Sequence, residues 1–494
     1  MYVFSHHVDL WRDLTLKLCQ NQPCPFSYSW KDTYASLHAH SLSAPSPPPH
    51  QPLLVPNFSS DLLYRSWVTR EFNLEISCPG FMNYSNVDHR DIKELSYEQF
   101  IKQYEIPNKP VVITGLVTQW KAYQVWDYNY FQKFYSKQIF RATSGTSSES
   151  AAFTMSQYET YAHSTSHEEV PLYLFDRNFA TSPCSSRSLS DDYTLPEYFH
   201  YTSNSSLPAS HYTDLFSLLP SEMRPDHRWL IIGPRRSGSI FHIDPNQTHA
   251  WNACIKGRKK WIFYPPTTTP PGIFVTPDGG DVTVPLSTGE WLLSFWKYHL
   301  QKRSVDQSFQ PLEVIVNPGE LIFVPHGWWH MVVNLDEESI ALTQNYVSSS
   351  NLLDCFEFLK DKSDQISGLR EEYNTDQFRQ EFHEKFGQVL STHHPVLYES
   401  MMKEYRDRRQ TQRMKETVAA ADAAYQEGNR KRKSKLAQAF SSNSEASFQQ
   451  RKRSISNWSN ESQQVNDGAA SAQWSSSSST SSTGNSVFSF SFNI

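Results

Sequence analysis

Through the middle of the chain the apolar residues come in short runs. "KPVVITGL", "PLYLF", "HRWLIIGP", "SIFHI", "KKWIFYP", "LEVIVNP", "ELIFVP" and "SIALTQNYV" all fall between about residues 58 and 365, separated by Gly and Pro turns. Short β-branched or aromatic runs bounded by turn residues predict strands, and this many in succession predict an all-β sandwich or barrel. "SYEQFIKQYE" and "WDYNYFQKFY" read as helices ahead of most of these strands. "VDLWRDLTLKL" predicts an amphipathic helix near the start, followed by the aromatic stretch "FSYSWKDTY". From "DCFEFLKDK" to "MKETVAAADAAYQ" apolar residues recur at three- and four-residue steps, which is the helical period.

The punctuation of this pattern divides the chain. Residues 1–40 form a helical segment, and the proline- and serine-rich 41–57 ("SLSAPSPPPHQP" lies across it) a linker. A strand-rich domain over 58–352 and a helical extension over 353–428 follow. Residues 429–494 are poor in core formers and end in "SSSSSTSSTGNS", so this tail is expected to be disordered.

Composition narrows the function classes. The net charge of −6 and the 19% of charged residues give no global basic field, so no direct nucleic-acid site is evident and any such contact would be local. The six cysteines are scattered without a Cys-x-x-Cys pair, which speaks against a zinc module and for a reducing compartment. No run of about 18 apolar residues is present and the start lacks the pattern of a signal peptide, so the expectation is a soluble intracellular protein without a membrane.

The chemistry concentrates in two stretches. "FHIDPNQTHAWNACIKGRKKW" sets His242 and Asp244 two positions apart, and on a strand that spacing puts both on one face. "NPGELIFVPHGWWHMVVNL" adds His330 in a second apolar run. Two histidines and one carboxylate with positions left open make the facial triad of non-haem Fe(II) oxygenases. His326 competes for the third place, although Pro325 and Gly327 set it in a turn. Such an iron takes electrons from a 2-oxoacid, whose far carboxylate needs a cation and a hydroxyl inside the barrel. Lys259 or Lys260 and Thr343 are at hand.

These blocks, with "KPVVITG", "PLYLFD" and "HRWLIIGP", resemble the JmjC family of Fe(II)- and 2-oxoglutarate-dependent oxygenases over about residues 60–352. Within it the chain is most similar to the branch of lysyl hydroxylases and arginine demethylases. The resemblance implies a mainly β, double-stranded β-helix (cupin or jelly-roll) fold with flanking helices. It implies His242, Asp244 and His330 as ligands of Fe(II), with 2-oxoglutarate and O2 as cosubstrates. Lys259 and Thr343 become the anchors of the far carboxylate, Asn252 and Ser239 further cosubstrate contacts, and Asn345 a pocket residue. Ser239 stands where that branch usually has threonine, and a longer insertion covers about 267–312.

The expected activity is hydroxylation of protein side chains, lysine foremost, with N-methyl demethylation by the same mechanism as the alternative. Tyr173, Trp251 and Trp328 are candidates for an aromatic cage that the alternative would use. The substrate would be a protein, with histones and nuclear or RNA-associated proteins in view. "LWRDLTLKLCQ" and "SYSWKDTYASL" are similar to the segment after the F-box of F-box/JmjC proteins, but the F-box helices are missing from this chain. That argues against a ubiquitin-ligase adaptor. A cupin-like hydrolase or isomerase would share the barrel without needing Lys259 and Thr343. "NRKRKSKL" at 429–436 reads either as a nuclear import signal or as a solvated basic patch; the first reading makes the nucleus the expected location, with the cytoplasm as a second.

Overall fold

The computed structural model describes residues 8–20, 22–39, 68–69, 77–144, 150–165, 168–180, 188–200, 211–303 and 310–456. The linker at 41–57 and the last part of the tail, 457–494, lie outside them. The strands are β1 (Asp88–Asp91), β2 (Val111–Thr114), β3 (Ile139–Thr143), β4 (Ser150–Thr154) and β5 (Tyr173–Asp176). There follow β6 (Arg228–Gly233), β7 (Gly238–His242), β8 (His249–Lys256), β9 (Lys259–Tyr264), β10 (Phe274–Val275) and β11 (Val282–Thr283). The last are β12 (Leu312–Val316), β13 (Leu321–Val324), β14 (Trp329–Asn334) and β15 (Ser339–Tyr346).

Two sheets face each other. The larger runs β1-β2-β13-β8-β15-β6-β5-β3-β4 and the smaller β12-β9-β14-β7, while β10 and β11 form a separate hairpin. Among the strands of the described residues, only β1 and β2 pair in parallel. Strand alternation explains the layers. Ala250 and Cys254 of β8 meet Trp261 and Phe263 of β9 and Val332 of β14 in a core between the sheets. The other face of β8, with Trp251, Ala253 and Ile255, packs outward against Trp120, Phe131 and Phe153. Burying each large aromatic contributes roughly 2–3 kcal/mol before ordering costs, so the many aromatics in the sequence stabilise both layers. This is the barrel that the strand pattern predicts, in the cupin form that the resemblance implies.

The insertion at 267–312 supplies β10, β11 and the helix Thr288–Arg303. Trp291 of this helix lies 4.9 Å from Phe241 of β7, centroid to centroid, so the helix braces the outside of the smaller sheet. Glu313 on β12 is fully buried and holds Lys260 (3.0 Å), His299 (2.8 Å) and Arg303 (2.8 Å).

At the N-terminal end the aromatic stretch forms a helix, Trp30–Ala39, after Val8–Cys19. Ser29 caps that helix, accepting from the Asp32 backbone N–H (3.1 Å) and donating to its carboxylate (2.7 Å). Cys24, Phe26 and Trp30 belong to the main core, and Trp30 Nε1 donates to buried Glu168 (2.9 Å). These residues therefore serve the fold of the strand-rich domain. At the other end the helix Pro395–Ser456 runs past residue 428, where the change in composition had set the start of a disordered tail. The stretch 429–456 keeps enough Ala, Lys, Arg, Gln and Glu to sustain helical propensity. A second compact unit begins at Met402, and from there to residue 438 almost every side chain is exposed. Among the described residues no helix is long and apolar enough to cross a membrane.

Candidate active site

β7 ends at His242, and β14 sets His330 directly opposite it, with the ring centroids 4.1 Å apart. Asp244 is not on the strand. It follows the strand end in an extended conformation (φ −59°, ψ 142°) and leads into the turn Pro245–Gln247. Its carboxylate still arrives on the same side, and one ligand atom from each of His242, Asp244 and His330 lies within 4.8 Å of the others. Between His330 and Val332 the register slips, so three steps of β7 match two of β14. That bulge adds one residue to β7 and puts Ser239 opposite Val332, hence on the same face as His242, where strict alternation would have separated them. Gly238 permits the approach, since a Cβ there would sit 2.0 Å from the Val332 carbonyl oxygen.

The protonation states suit a cation. Nδ1 of His242 lies 2.8 Å from the Ile240 carbonyl and Nδ1 of His330 3.1 Å from the Trp328 carbonyl. A carbonyl only accepts, so each Nδ1 carries the proton and each Nε2 keeps a lone pair. Burial pushes both imidazoles down to about 4 and the Asp244 carboxyl up to about 6. At neutral pH this gives two neutral imidazoles and an ionised carboxylate, the forms that bind a metal. His330 Nε2, 3.9 Å from Asp244, is the only basic nitrogen paired with that carboxylate in an ion pair among the described residues. A carboxylate only 14% exposed and so poorly compensated fits a divalent cation.

Deeper in the barrel the inner face of β9 carries Lys259, Trp261 and Phe263, and the Trp261 ring stacks near His330 at 5.8 Å. Lys259 is buried and donates to Asn334 Oδ1 (2.9 Å), and burial lowers its pKa to about 8. Asn252 of β8 and Thr343 of β15 sit opposite each other in register. The Asn252 Oδ1 and the Trp261 Nε1 are buried with no hydrogen-bond partner among the described residues, so polar capacity inside this barrel is unspent.

A family model described as a cupin-like domain matches residues 97–351. The arginine-specific demethylase JMJ22 of Arabidopsis thaliana is 37% identical over 81% of this chain and 72% of its own length. The chain belongs to the cupin-like JmjC family. The bifunctional arginine demethylase and lysyl-hydroxylase psr-1 of Caenorhabditis elegans is 33% identical over 58% of this chain and 67% of its own. The mouse 2-oxoglutarate and iron-dependent oxygenase JMJD4 is 29% identical over 56% of this chain and 64% of its own.

The JmjC barrel gathers the residues singled out in the sequence unevenly. His326 stands in the turn between β13 and β14, where its backbone N–H donates to His249 Nδ1 (3.0 Å) and Nε2 lies 3.7 Å from Asp354. Thr343 donates to the Trp251 carbonyl (2.8 Å), so it must release that carbonyl before it can donate to a carboxylate. The Asn345 amide donates to Thr248 Oγ1 (2.9 Å) and so supports the loop after Asp244. Lys260 points to the opposite face from Lys259, under the insertion helix, and neither lysine is solvated. The aromatic cage does not assemble. Trp251 packs outward near Phe199 (6.1 Å), while Trp328 spends its indole N–H on the Asn108 carbonyl (2.8 Å). Trp261 was passed over in the sequence, although its phase with Lys259 along the strand would have placed it inside.

Proposed function

We propose that this protein is an Fe(II)- and 2-oxoglutarate-dependent oxygenase that hydroxylates side chains of protein substrates, lysine foremost. The observation that carries this reading is the convergence of His242, Asp244 and His330 within 4.8 Å, in the same barrel as the buried ammonium of Lys259. Iron(II) held by the three side chains would supply the oxygen chemistry, with 2-oxoglutarate and O2 consumed and succinate and CO2 released as a C–H bond becomes C–OH. The chain's own residues set the stage for it. The two backbone carbonyls at Ile240 and Trp328 fix the imidazoles, as ligand-orienting partners do. Lys259 is placed to pair with the far carboxylate of the cosubstrate. Trp261 and Phe263 wall the imidazole of His330 and keep water from it.

N-methyl demethylation is the second reading, and the 37% identity to the arginine-specific demethylase JMJ22 over 81% of this chain favours it. Hydroxylation of an N-methyl group gives a product that loses formaldehyde, so one experiment decides. Full-length protein with Fe(II), 2-oxoglutarate and matched unmodified and methylated Lys/Arg peptides is expected to add one oxygen to the unmodified set, read by mass spectrometry. Formaldehyde from the methylated set with no oxygen added to the other would reverse the order of the two readings.

We also propose that substrate and enzyme meet in the nucleus, among histones or other nuclear and RNA-associated proteins. Supporting this, Arg430, Lys431, Arg432, Lys433 and Lys435 are all exposed along the helix Pro395–Ser456, as an import receptor requires. A chain ending at residue 428 is expected to turn over normally in vitro and to lose nuclear enrichment in cells, seen by fluorescence microscopy. An unchanged distribution would remove the signal from 429–436.

A further inference from the structure

Two residues beyond Asp244, the backbone does something costly. Asn246 (φ 56°) and Gln247 (φ 55°) are consecutive non-glycine residues in the left-handed region. Asparagine tolerates that region, glutamine less so, and such conformations persist only where surrounding contacts over-determine them. The contacts here come from the C-terminal side of the domain. Asn246 is 4% exposed, and its amide makes a reciprocal pair with the backbone of Ser367, donating Nδ2 to the carbonyl (3.0 Å) and accepting from the N–H at Oδ1 (3.2 Å). Asn351 Nδ2 donates to the Gln247 carbonyl (2.8 Å), and Asn345 Nδ2 to Thr248 Oγ1 (2.9 Å). The loop is thus held at three successive residues by segments about 100 to 120 positions later.

We infer that Asn246 is a positioning residue: by clamping the loop to the backbone of Ser367, it fixes the carboxylate of Asp244 where the two imidazoles meet it. Asp244 needs this because it lies past the end of β7, and its own hydrogen bonds to the sheet cannot aim it. The histidines sit on paired strands and need no such help. A consequence is that residues 363–368, after the last helix to pack against this loop, belong functionally to the metal site. Gly368 ties the same segment to the residues just before β6, its carbonyl accepting from the Asp226 N–H (2.8 Å).

The inference rests on the triad reading, and the test separates the two. The full-length metal-free protein is titrated with Co(II) alone, followed by the visible absorption of the bound ion, with thermal unfolding of the metal-free form alongside. Asn246→Ala and Asn246→Gly are expected to bind Co(II) about 10- to 100-fold more weakly, as for other lost supports of metal ligands. Glycine relieves the left-handed strain while removing the clamp, so a loss shared by both variants belongs to the amide and not to the backbone. Ser367→Pro, which deletes the N–H from the far side, is expected to act in the same direction; Ile366 (φ −63°, ψ 127°) already has the conformation a residue before proline prefers. Metal-free unfolding midpoints within about 4 °C of wild type are expected for the Asn246 pair, the scale of a few lost hydrogen bonds. Wild-type Co(II) affinity in both Asn246 variants overturns the clamp. A wild-type chain that binds no Co(II), or an Asp244→Ala chain that binds it as well as wild type, overturns the triad and the inference with it.

Discussion

Asp244→Ala is expected to end turnover while leaving the protein folded and, in the metal-free state, no less stable. The two outcomes have one cause. The Asp244 side chain is only 14% exposed, and its only basic ion-pair partner among the described residues is a neutral imidazole 3.9 Å away, so in the absence of a cation it is a cost to the fold. Removing an uncompensated buried charge relieves that cost. Removing one of three metal ligands, by contrast, takes away the charge that balances a divalent ion and opens the site to exchange. Metal affinity should fall by orders of magnitude, measured by titration, with succinate formation lost in parallel. His330→Ala should do the same, whereas His326→Ala should be milder, since His326 contacts the turn and Asp354 and not the triad. Succinate at the wild-type rate from Asp244→Ala would sink the assignment, and a heavier loss from His326→Ala than from His330→Ala would mean that the wrong histidine was chosen.

Much of this architecture was legible because β-structure writes itself in short apolar runs. Each of the eight runs quoted from the sequence overlaps an observed strand. β8 was not among them. Its sequence, "HAWNACIK", alternates, but its inward positions include Asn252, and polar residues facing a ligand pocket break the pattern by which strands are recognised. The insertion helix Thr288–Arg303 was hidden for a different reason. Its buried residues Trp291, Leu292, Trp296 and His299 share one face, but Leu293 and Tyr298 are exposed apolar residues outside it, so no single stripe marks the helix in the sequence. At the site, residue types and spacing led to His242, Asp244 and His330, but the reasoning put Asp244 on a strand. A bulge and a left-handed turn depend on pairing with β14 and on contacts to Ser367, more than 100 residues away, and no local pattern carries them. The same holds for Thr343, whose partner is a backbone carbonyl and hence invisible in the sequence.

The two adjacent lysines make the other large prediction, because one strand sends them to chemically different places. Lys259→Ala is expected to weaken 2-oxoglutarate binding by about 2–5 kcal/mol, the cost of truncating one partner of a buried charge pair, or roughly 30-fold and upwards. Lys260→Ala should leave the affinity of the folded protein almost unchanged and act on stability instead. It strips one cation from Glu313, which is fully buried, at a cost of about 3–5 kcal/mol. pH offers an independent check. Burial lowers the Lys259 ammonium to about 8 in the ligand-free protein, and only the charged form pairs with a carboxylate. Affinity should therefore be full below pH 8 and fall as pH rises through it, by up to about tenfold per unit, until the pKa of the bound form is reached. The Lys259→Ala variant has no such proton to lose, so its weaker binding should be flat across that window. Calorimetric titration of both proteins with 2-oxoglutarate between pH 7 and 9.5 reads the slopes directly, and equal slopes would show that the anchoring charge lies elsewhere.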